Sequence, residues 1–284
     1  MCLIGFTFDP SGAQPLVLAS NRDEFFSRPT RTAHWWRDLA GVYGGRDESA
    51  GGSWLALQTP RAGNGKLRLA ALTNFRDGRG APAQAISRGA LVTGLLQSVH
   101  SVPDTLNALV PDLDRYAGFS LLVFEWTAGL AAAPAALQLQ GWHLSNQGRY
   151  RAQVCSIEPG VHALSNASFD EPWPKSTRLI AALQAGTAEP HLLSALTSAA
   201  PVAAADLPAT GIDAAVEAAL SSSFIRPPAT PAPALPDYGT RSSSVVTLSA
   251  DGAVQFRQWT WDTTVTEARA SHQQSMFLQP AQPA

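Results

Sequence analysis

The sequence predicts an α+β fold in which antiparallel β-sheets stack against each other with helices outside. Three observations indicate this class. Short β-rich runs come in clusters, blocks with helical spacing separate the clusters, and the regular strand-helix alternation of a parallel sheet is missing. At 284 residues, 45% of them hydrophobic, the chain is long enough to bury a substantial core.

The first element is a predicted N-terminal hairpin. The runs "CLIGFTFD" and "PLVLASN" are rich in β-forming residues, and the turn-forming "PSGAQ" joins them. Cys2 then stands at the first residue of the first strand.

The other elements follow from the same signals. Alternating or continuous apolar runs predict further strands at 52–58, 66–74, 118–126, 136–145 and 160–166, and a late pair at 243–249 and 253–261 joined by a turn at 250–252. Apolar residues at helical spacing predict helices within 83–100, 176–186 and 212–222.

The chain reads as a single domain over residues 1–275. A stretch rich in proline and alanine predicts a flexible loop near 226–236, and "QPAQPA" at the end predicts a frayed tail over 276–284.

Composition excludes several classes of function. A formal net charge of −2 with 15% charged residues gives no basic surface for nucleic acid or anionic membranes. Cys2 and Cys155 are too few for a disulfide framework or a zinc cluster, and we expect no resident metal. No apolar run is long enough to cross a bilayer, and the start lacks the pattern of a signal peptide. The expected location is the cytoplasm, and the expected partner is a small molecule.

Cys2 is the candidate nucleophile. Removal of Met1 would leave one residue carrying a thiol and a free α-amine, whose pKa of about 7.7–8.0 suits a general base near neutral pH. A thiol of pKa ~8.5 needs only a nearby cation to become more reactive. Arg22 could supply that cation and Asp23 could hold the amine. The alternative is structural: Cys2 is a small residue that starts a strand, and "NRDE" is a charged strand end.

Two asparagines and one arginine stand at strand ends. Asn74 and Asn166 each follow an apolar run, where an amide can donate to a developing oxyanion. Arg241 precedes a late strand and could face a substrate carboxylate. Turn chemistry, helix caps and a solvated arginine are the ordinary alternatives.

The segments "HWW", "GGRD" and "GGSW" together combine glycines with large aromatic residues. They predict either the frame of an apolar pocket or loops and core. No P-loop, HExxH, GxSxG or paired-cysteine metal signature occurs, so Cys2 stays the leading nucleophile.

The segments "MCLIGF", "LASNRDEFFSRPT", "GGRDESAGGSWLAL", "ALTNFRD", "GVHALSNASFDEPWPKS" and "YGTRSSSVV" together resemble the NRDE family, also called the transport and Golgi organisation protein 2 family. The resemblance runs from Met1 to the last predicted strand. It implies similarity to N-terminal nucleophile (Ntn) hydrolases and therefore a four-layer αββα sandwich. More distantly, the order of these residues is similar to that of choloylglycine hydrolase and penicillin V acylase.

That resemblance implies roles for particular residues. Cys2 corresponds to the nucleophile, Arg22 and Asp23 to its supporting pair, and Asn166 to an oxyanion or amine-binding asparagine. Arg241 corresponds to the late arginine, with Asn74 a looser match for the other asparagine.

The acylases separate the arginine from the aspartate, whereas Arg22 and Asp23 are adjacent here. Adjacent side chains on a strand point to opposite faces, so both cannot face Cys2 unless the strand ends or bulges there. Asn21 and Glu24 are therefore substitutes for Asp23. Substrate contact is expected from Asn21, Glu24, His34, Trp35 and Trp54.

Two functions follow as hypotheses. The first is a cysteine amidohydrolase or acyl-transfer enzyme of the Ntn type, without a cofactor, acting on a non-peptide C–N bond or a thioester. The second is a non-catalytic binding or trafficking protein for haem or a lipid-like ligand, with His34 or Cys2 as the iron ligand. The family resemblance implies links to Golgi organisation, haem mobilisation and lipid or coenzyme A homeostasis. The sequence leaves the oligomeric state open. It also leaves open a third alternative, a structural scaffold whose catalytic site has decayed.

Overall fold

The computed structural model describes residues 2–60, 65–78, 80–127, 137–226, 235, 237–262 and 268–279, with Cys2 described by its backbone alone. Most of the predicted loop at 226–236 and the end of the predicted tail, 280–284, lie outside the described residues.

The strands account for most of the described fold. In chain order they are Cys2–Phe8 (β1), Leu16–Phe25 (β2), Thr30–Trp35 (β3), Val42–Asp47 (β4), Leu55–Gln58 (β5), Lys66–Asn74 (β6), Phe119–Thr127 (β7), Gln138–Ser145 (β8), Cys155–Ser156 (β9), Gly160–Leu164 (β10), Tyr238–Leu248 (β11), Val254–Trp261 (β12) and Ala270–Leu278 (β13).

The helices are shorter and lie between the strand clusters. They are Gly89–Gln97 (α1), Val102–Leu109 (α2), Pro174–Ala185 (α3), Glu189–Leu196 (α4) and Ala214–Ala219 (α5), with 3₁₀ turns at Val110–Arg115 and Ala204–Asp206. Within the described part of the chain, no helix is both long and apolar enough to cross a membrane.

The strands form two antiparallel sheets. The first has six strands in the order β10-β1-β2-β11-β12-β13, and the second has seven in the order β3-β4-β5-β6-β7-β8-β9. β2 is central to the first sheet because β1 and β11 pair with its two sides.

The two sheets face each other across an apolar core. Phe6 of the first sheet meets Phe124 of the second edge to face, with ring centroids 5.1 Å apart. Alternate residues of the strands point into this layer, as the period of a strand requires. Trp126 and Phe256 lie in the same layer and are almost fully buried.

A helical layer covers the outer face of each sheet. Leu91 and Leu95 of α1 and Leu106 of α2 pack on the second sheet. Leu179 of α3 and Leu192 of α4 pack on the first. These contacts confirm the predicted four-layer αββα sandwich.

The strongly patterned elements were predicted correctly. The N-terminal hairpin, the strand at 66–74 and the late hairpin are all present, α1 and α5 lie within their predicted helices, and α3 begins at Pro174, two residues before its predicted start. β11 begins at Tyr238, five residues before its predicted start, and β13 extends the sheet ladder to Leu278, past the predicted domain end at 275.

Five substantial elements were missed, namely β3, β4, β13, α2 and α4. β3 contains a register irregularity between Arg31 and His34, and it lies at a sheet edge. β13 is mostly polar and exposed, so the alternating apolar pattern that marks a half-buried strand is weak in its sequence.

A histidine is buried where β8 faces the first sheet. His143 is 2% exposed, and its ring centroid lies 5.0 Å from that of Phe169. Among the described residues, its Nε2 atom has no hydrogen-bond partner. Burial therefore lowers the pKa of His143 from 6.5 to about 4.

Replacing His143 with leucine should flatten the pH dependence of the free energy of unfolding between its two pKa values, about 4 folded and 6.5 unfolded. In that interval the unfolded chain binds more protons than the folded chain, so stability rises with pH. The stability lost because the folded chain keeps His143 neutral grows as the pH falls, and it reaches about 3 kcal/mol near the folded pKa. Urea unfolding at about pH 5 and about pH 7 measures the slope. The control variant His272→Leu replaces an exposed histidine and should leave this slope unchanged. Equal slopes in wild type and His143→Leu would contradict the assignment of the pH dependence to His143.

Candidate functional site

The first residue of β1 is paired with β2. Cys2 pairs with Arg22 across the β1–β2 ladder. On the other side of β1, the ladder with β10 ends at the pair Ile4–Leu164, and Asn166 follows two residues after the end of β10. Lys175 connects Asn166 to this end of β2, because its ammonium contacts Asn166 Oδ1 and lies near Asp23.

Arg22 points toward the second sheet. Its guanidinium carbon lies 4.2 Å from the centroid of the Trp54 ring. Nη1 donates to Thr30 Oγ1 at 3.1 Å, and Nη2 lies 3.8 Å from Glu24 Oε2. The side chain is only 4% exposed, so the cation–π contact with Trp54 is largely desolvated.

Asp23 points to the opposite face, toward the helices. Its Oδ1 accepts a hydrogen bond from Thr240 Oγ1 at 2.7 Å, and the carboxyl group is buried. Burial raises the pKa of Asp23 above its usual value, while the Lys175 ammonium opposes that rise. The opposite directions of Arg22 and Asp23 agree with the alternation expected of adjacent strand residues.

The two proposed substitutes for Asp23 are engaged by the protein itself. Asn21 is buried; its Nδ2 donates to the carbonyl oxygens of Leu196 and Ser223 at 2.8 and 2.7 Å, and its Oδ1 accepts from Ser243 Oγ. Glu24 lies partly exposed beside Arg22 and accepts a hydrogen bond from the Phe25 backbone. These contacts connect β2 to the C-terminal end of α4 and to the segment after α5.

Asn166 joins the ends of three elements. Its Nδ2 donates to the Asn74 carbonyl oxygen at 3.0 Å, which links it to the end of β6. Its Oδ1 accepts from Arg76 Nη2 at 3.3 Å and from Lys175 Nζ at 3.4 Å. Two cations on the same oxygen fix the orientation of this amide, and the side chain is fully buried.

Asn74 presents a different situation. It is half-buried at the end of β6, and its side-chain amide makes no hydrogen bond within the described residues. Of the two predicted asparagines, Asn74 therefore has the amide that is available to a ligand, and Asn166 has the amide that holds the strand ends together.

Sequence reasoning missed a buried group of charged residues around Asn166. Arg76 Nη1 pairs with Glu217 Oε1, and both side chains are at most 5% exposed. Arg76 also lies over the Trp173 ring, 5.1 Å from its centroid. Lys175 Nζ donates to the Leu220 carbonyl oxygen at 3.4 Å and is 2% exposed.

Two of these residues carried a sequence signal. Arg76 stands in "ALTNFRD" and Lys175 in "EPWPKS", both within segments that support the family resemblance. Glu217 lies in the short helix α5, where nothing in the sequence distinguishes it from a surface glutamate.

Arg241 stands at a bulge of β11. The β2–β11 register shifts between Thr240 and Ser242, and Arg241 is the residue between them. Its Nη1 donates to the carbonyl oxygens of Phe25 and Arg28, so it holds the turn between β2 and β3. Burial and the neighbouring Arg22 lower its pKa.

The aromatic residues that were predicted to frame one pocket lie in separate parts of the fold. Trp54 lies in the core between the sheets beneath Arg22, with Gly45 against its ring. Trp36 packs on the outer face with α1 and α2. His34 and the 46% exposed Trp35 line an open cleft of about 510 Å³ on the β3 side of the molecule.

The cleft is basic. Arg31, Arg37 and Arg46 line it together with Asp38 and Gln274. Arg46 forms two hydrogen bonds with Asp38, at 2.6 and 2.7 Å. His34 Nδ1 is 2.7 Å from the Thr32 carbonyl oxygen, which favours the tautomer with a free Nε2.

The fold and site define an αββα sandwich whose first strand begins beside a buried cluster of paired charges. Comparison with known sequences shows that the chain belongs to the Transport and Golgi organisation 2 family, whose profile matches residues 1–263. It is 33% identical to the Transport and Golgi organization protein 2 homolog of Bos taurus over 95% of this chain and 99% of that protein. The Homo sapiens homolog is 32% identical over 91% of this chain and 92% of its own length.

Replacing Glu217 with glutamine should lower the free energy of unfolding by roughly 3 kcal/mol, because Arg76 would keep its buried charge without the carboxylate. The double variant Arg76→Met/Glu217→Leu should recover part of that loss, since it removes both charges. Urea unfolding curves of the single and double variants measure both effects.

The control is Asp112→Asn at the exposed ion pair with Arg115, whose two side chains are 63% and 52% exposed. It should change stability by less than about 0.5 kcal/mol. Equal, small effects of Glu217→Gln and Asp112→Asn would show that the buried pair does not stabilise this end of the fold.

Proposed function

We propose that the chain is an N-terminal-cysteine amidohydrolase or acyl-transfer enzyme that acts on a non-peptide amide or a thioester. The observation that carries the proposal is the register that pairs Cys2 with Arg22, at the end of β2 where the Lys175 ammonium lies near Asp23 and contacts Asn166. These are the residue types that a thiol nucleophile needs nearby, a cation and an amide donor.

The buried charges support the same proposal. Asp23, Lys175, Arg76 and Glu217 lie together behind the strand end, each with a partner of opposite charge or a hydrogen bond. Such groups are costly to bury, and perturbed ionisable groups of this kind cluster at functional sites.

In the proposed reaction, removal of Met1 frees the Cys2 α-amine. The amine takes the thiol proton, and the thiolate attacks the substrate carbonyl to give a tetrahedral oxyanion. The Asn74 amide donates to that oxyanion, while Asn166 positions the end of β6 through the Asn74 carbonyl. The amine or thiol leaving group takes the proton from the α-ammonium, and a water molecule, deprotonated by the amine, then hydrolyses the Cys2 thioester.

The intact protein should lack Met1. Mass spectrometry of the purified chain measures this directly, and the expected result is a mass lower by one methionine. A chain that retains Met1 quantitatively has no free Cys2 amine, and that outcome would exclude the proposed general base.

Cys2→Ala should abolish acylation by an electrophilic amide or β-lactone probe, whereas Cys155→Ala should keep wild-type labelling. Burial raises the pKa of the partly buried Cys155 thiol, so that cysteine is the less reactive of the two and serves as the matched control. Asn74→Ala should slow labelling by 10²–10³, the usual cost of losing one oxyanion donor. Equal labelling of the Cys2 and Cys155 variants would reject the nucleophile assignment.

A second candidate function is binding of haem at the β3 cleft. The orientation of His34 favours it, because the Thr32 carbonyl occupies Nδ1 and leaves Nε2 for a metal. The arginines of the cleft suit the carboxylates of a haem. The aromatic residues of "FEW" do not contribute, since Phe124 and Trp126 are buried in the core, and nothing comparable favours a lipid.

His34→Ala should remove a haem Soret shift if the cleft holds the iron through this residue. Absorption titration with haem measures the shift, and Cys155→Ala is the matched control because Cys155 lies on β9, at the opposite edge of the second sheet from β3. A shift that persists in His34→Ala, or no shift in wild type, would exclude the His34 site.

A further inference from the structure

In the part of the chain that the structure describes, the two sheets end in four edge strands, β10 and β13 in the first and β3 and β9 in the second. Three of them are poor templates for another strand. β9 has two residues and β10 has five, while β3 contains a register irregularity and the charged Arg31. Short length, irregularity and charge are the usual ways in which proteins protect sheet edges.

The fourth edge is neither short nor charged, and its one register shift lies at its first residues, between the pairs Trp261–Ala270 and Thr260–His272. β13 has nine residues, "ASHQQSMFL", with no lysine, arginine, aspartate, glutamate or proline. It pairs with β12 without interruption from His272 to Leu278. Most of its side chains are exposed, and Phe277 exposes 62% of its surface.

We propose that β13 is the interface with a second copy of this chain. The two β13 strands pair antiparallel across a twofold axis and join two six-stranded sheets into one continuous sheet. The outward backbone groups of an edge strand match those of another extended strand, which identifies the partner as a strand rather than a helix.

The side chains of β13 suit pairing with itself. An antiparallel overlap centred on Gln274 puts Gln273 opposite Ser275 and His272 opposite Met276, all within the regular part of the strand. No like charges meet, which would otherwise oppose an isologous pair. Phe277, exposed in the single chain, is covered by the strand of the second copy.

The proposal does not depend on the proposed reaction, because Cys2 lies in β1 and β13 is the outer strand of the sheet. Light scattering of the purified chain during gel filtration should give twice the monomer mass at micromolar concentrations. The variant Gln273→Lys/Ser275→Lys places lysine opposite lysine twice, and its mass should fall by half. Gln273→Glu/Ser275→Glu should be monomeric for the same reason.

An equimolar mixture of the lysine and glutamate variants should regain the dimer mass, because each lysine then faces a glutamate. This rescue distinguishes pairing through β13 from unfolding or from another interface. Ser156→Lys, an exposed serine on the β9 edge, is the matched control and should stay dimeric. Three outcomes would overturn the proposal: a monomeric wild-type chain, a lysine variant that stays dimeric, and a mixture that stays monomeric. The first of them would leave this edge to a strand of another protein.

Discussion

The rest of the site depends on one constraint: each polar side chain at the buried end of β2 must have a hydrogen-bonding or charged partner. Residues 20–23 are polar, yet all four are buried in the middle of a sheet. Each group there needs a partner, since an unpaired buried polar group costs about 1–3 kcal/mol. The partners come from distant segments: Asn21 bonds the last residue of α4 and the chain after α5, Arg22 contacts Trp54, and Asp23 bonds Thr240.

The same register gives the two faces of β2 different chemistry. Arg22 faces the core between the sheets, where an indole ring covers its charge. Asp23 faces the helices, near the ammonium of Lys175 on α3. The start of β1 therefore lies at the boundary between two groups of buried charges, and Asn166 connects one of them to the end of β6.

Local pattern accounts for the parts of the fold that could be predicted. Runs such as "KLRLAALTN" are buried over nearly their whole length, so composition and strand period identify them. β13 and β3 are stabilised by pairing with β12 and β4 rather than by burial of their own side chains, and their sequences therefore carry little signal. The candidate site divides in the same way. Cys2, Arg22, Asp23 and the two asparagines stand at predicted strand ends, whereas Glu217 becomes part of the site only through its contact with Arg76.

The sequence by itself determined the fold class, the N-terminal hairpin and the opposite directions of Arg22 and Asp23, because all three depend on residue patterns along a single segment. The tertiary structure decided the rest. Whether Asn74 or Asn166 presents a free amide, which cations lie beside Asp23, and where His34 stands relative to Trp54 all depend on contacts between segments far apart in the chain. Hydrogen bonds and ion pairs of this kind form only after the sheets pack, so no local pattern encodes them.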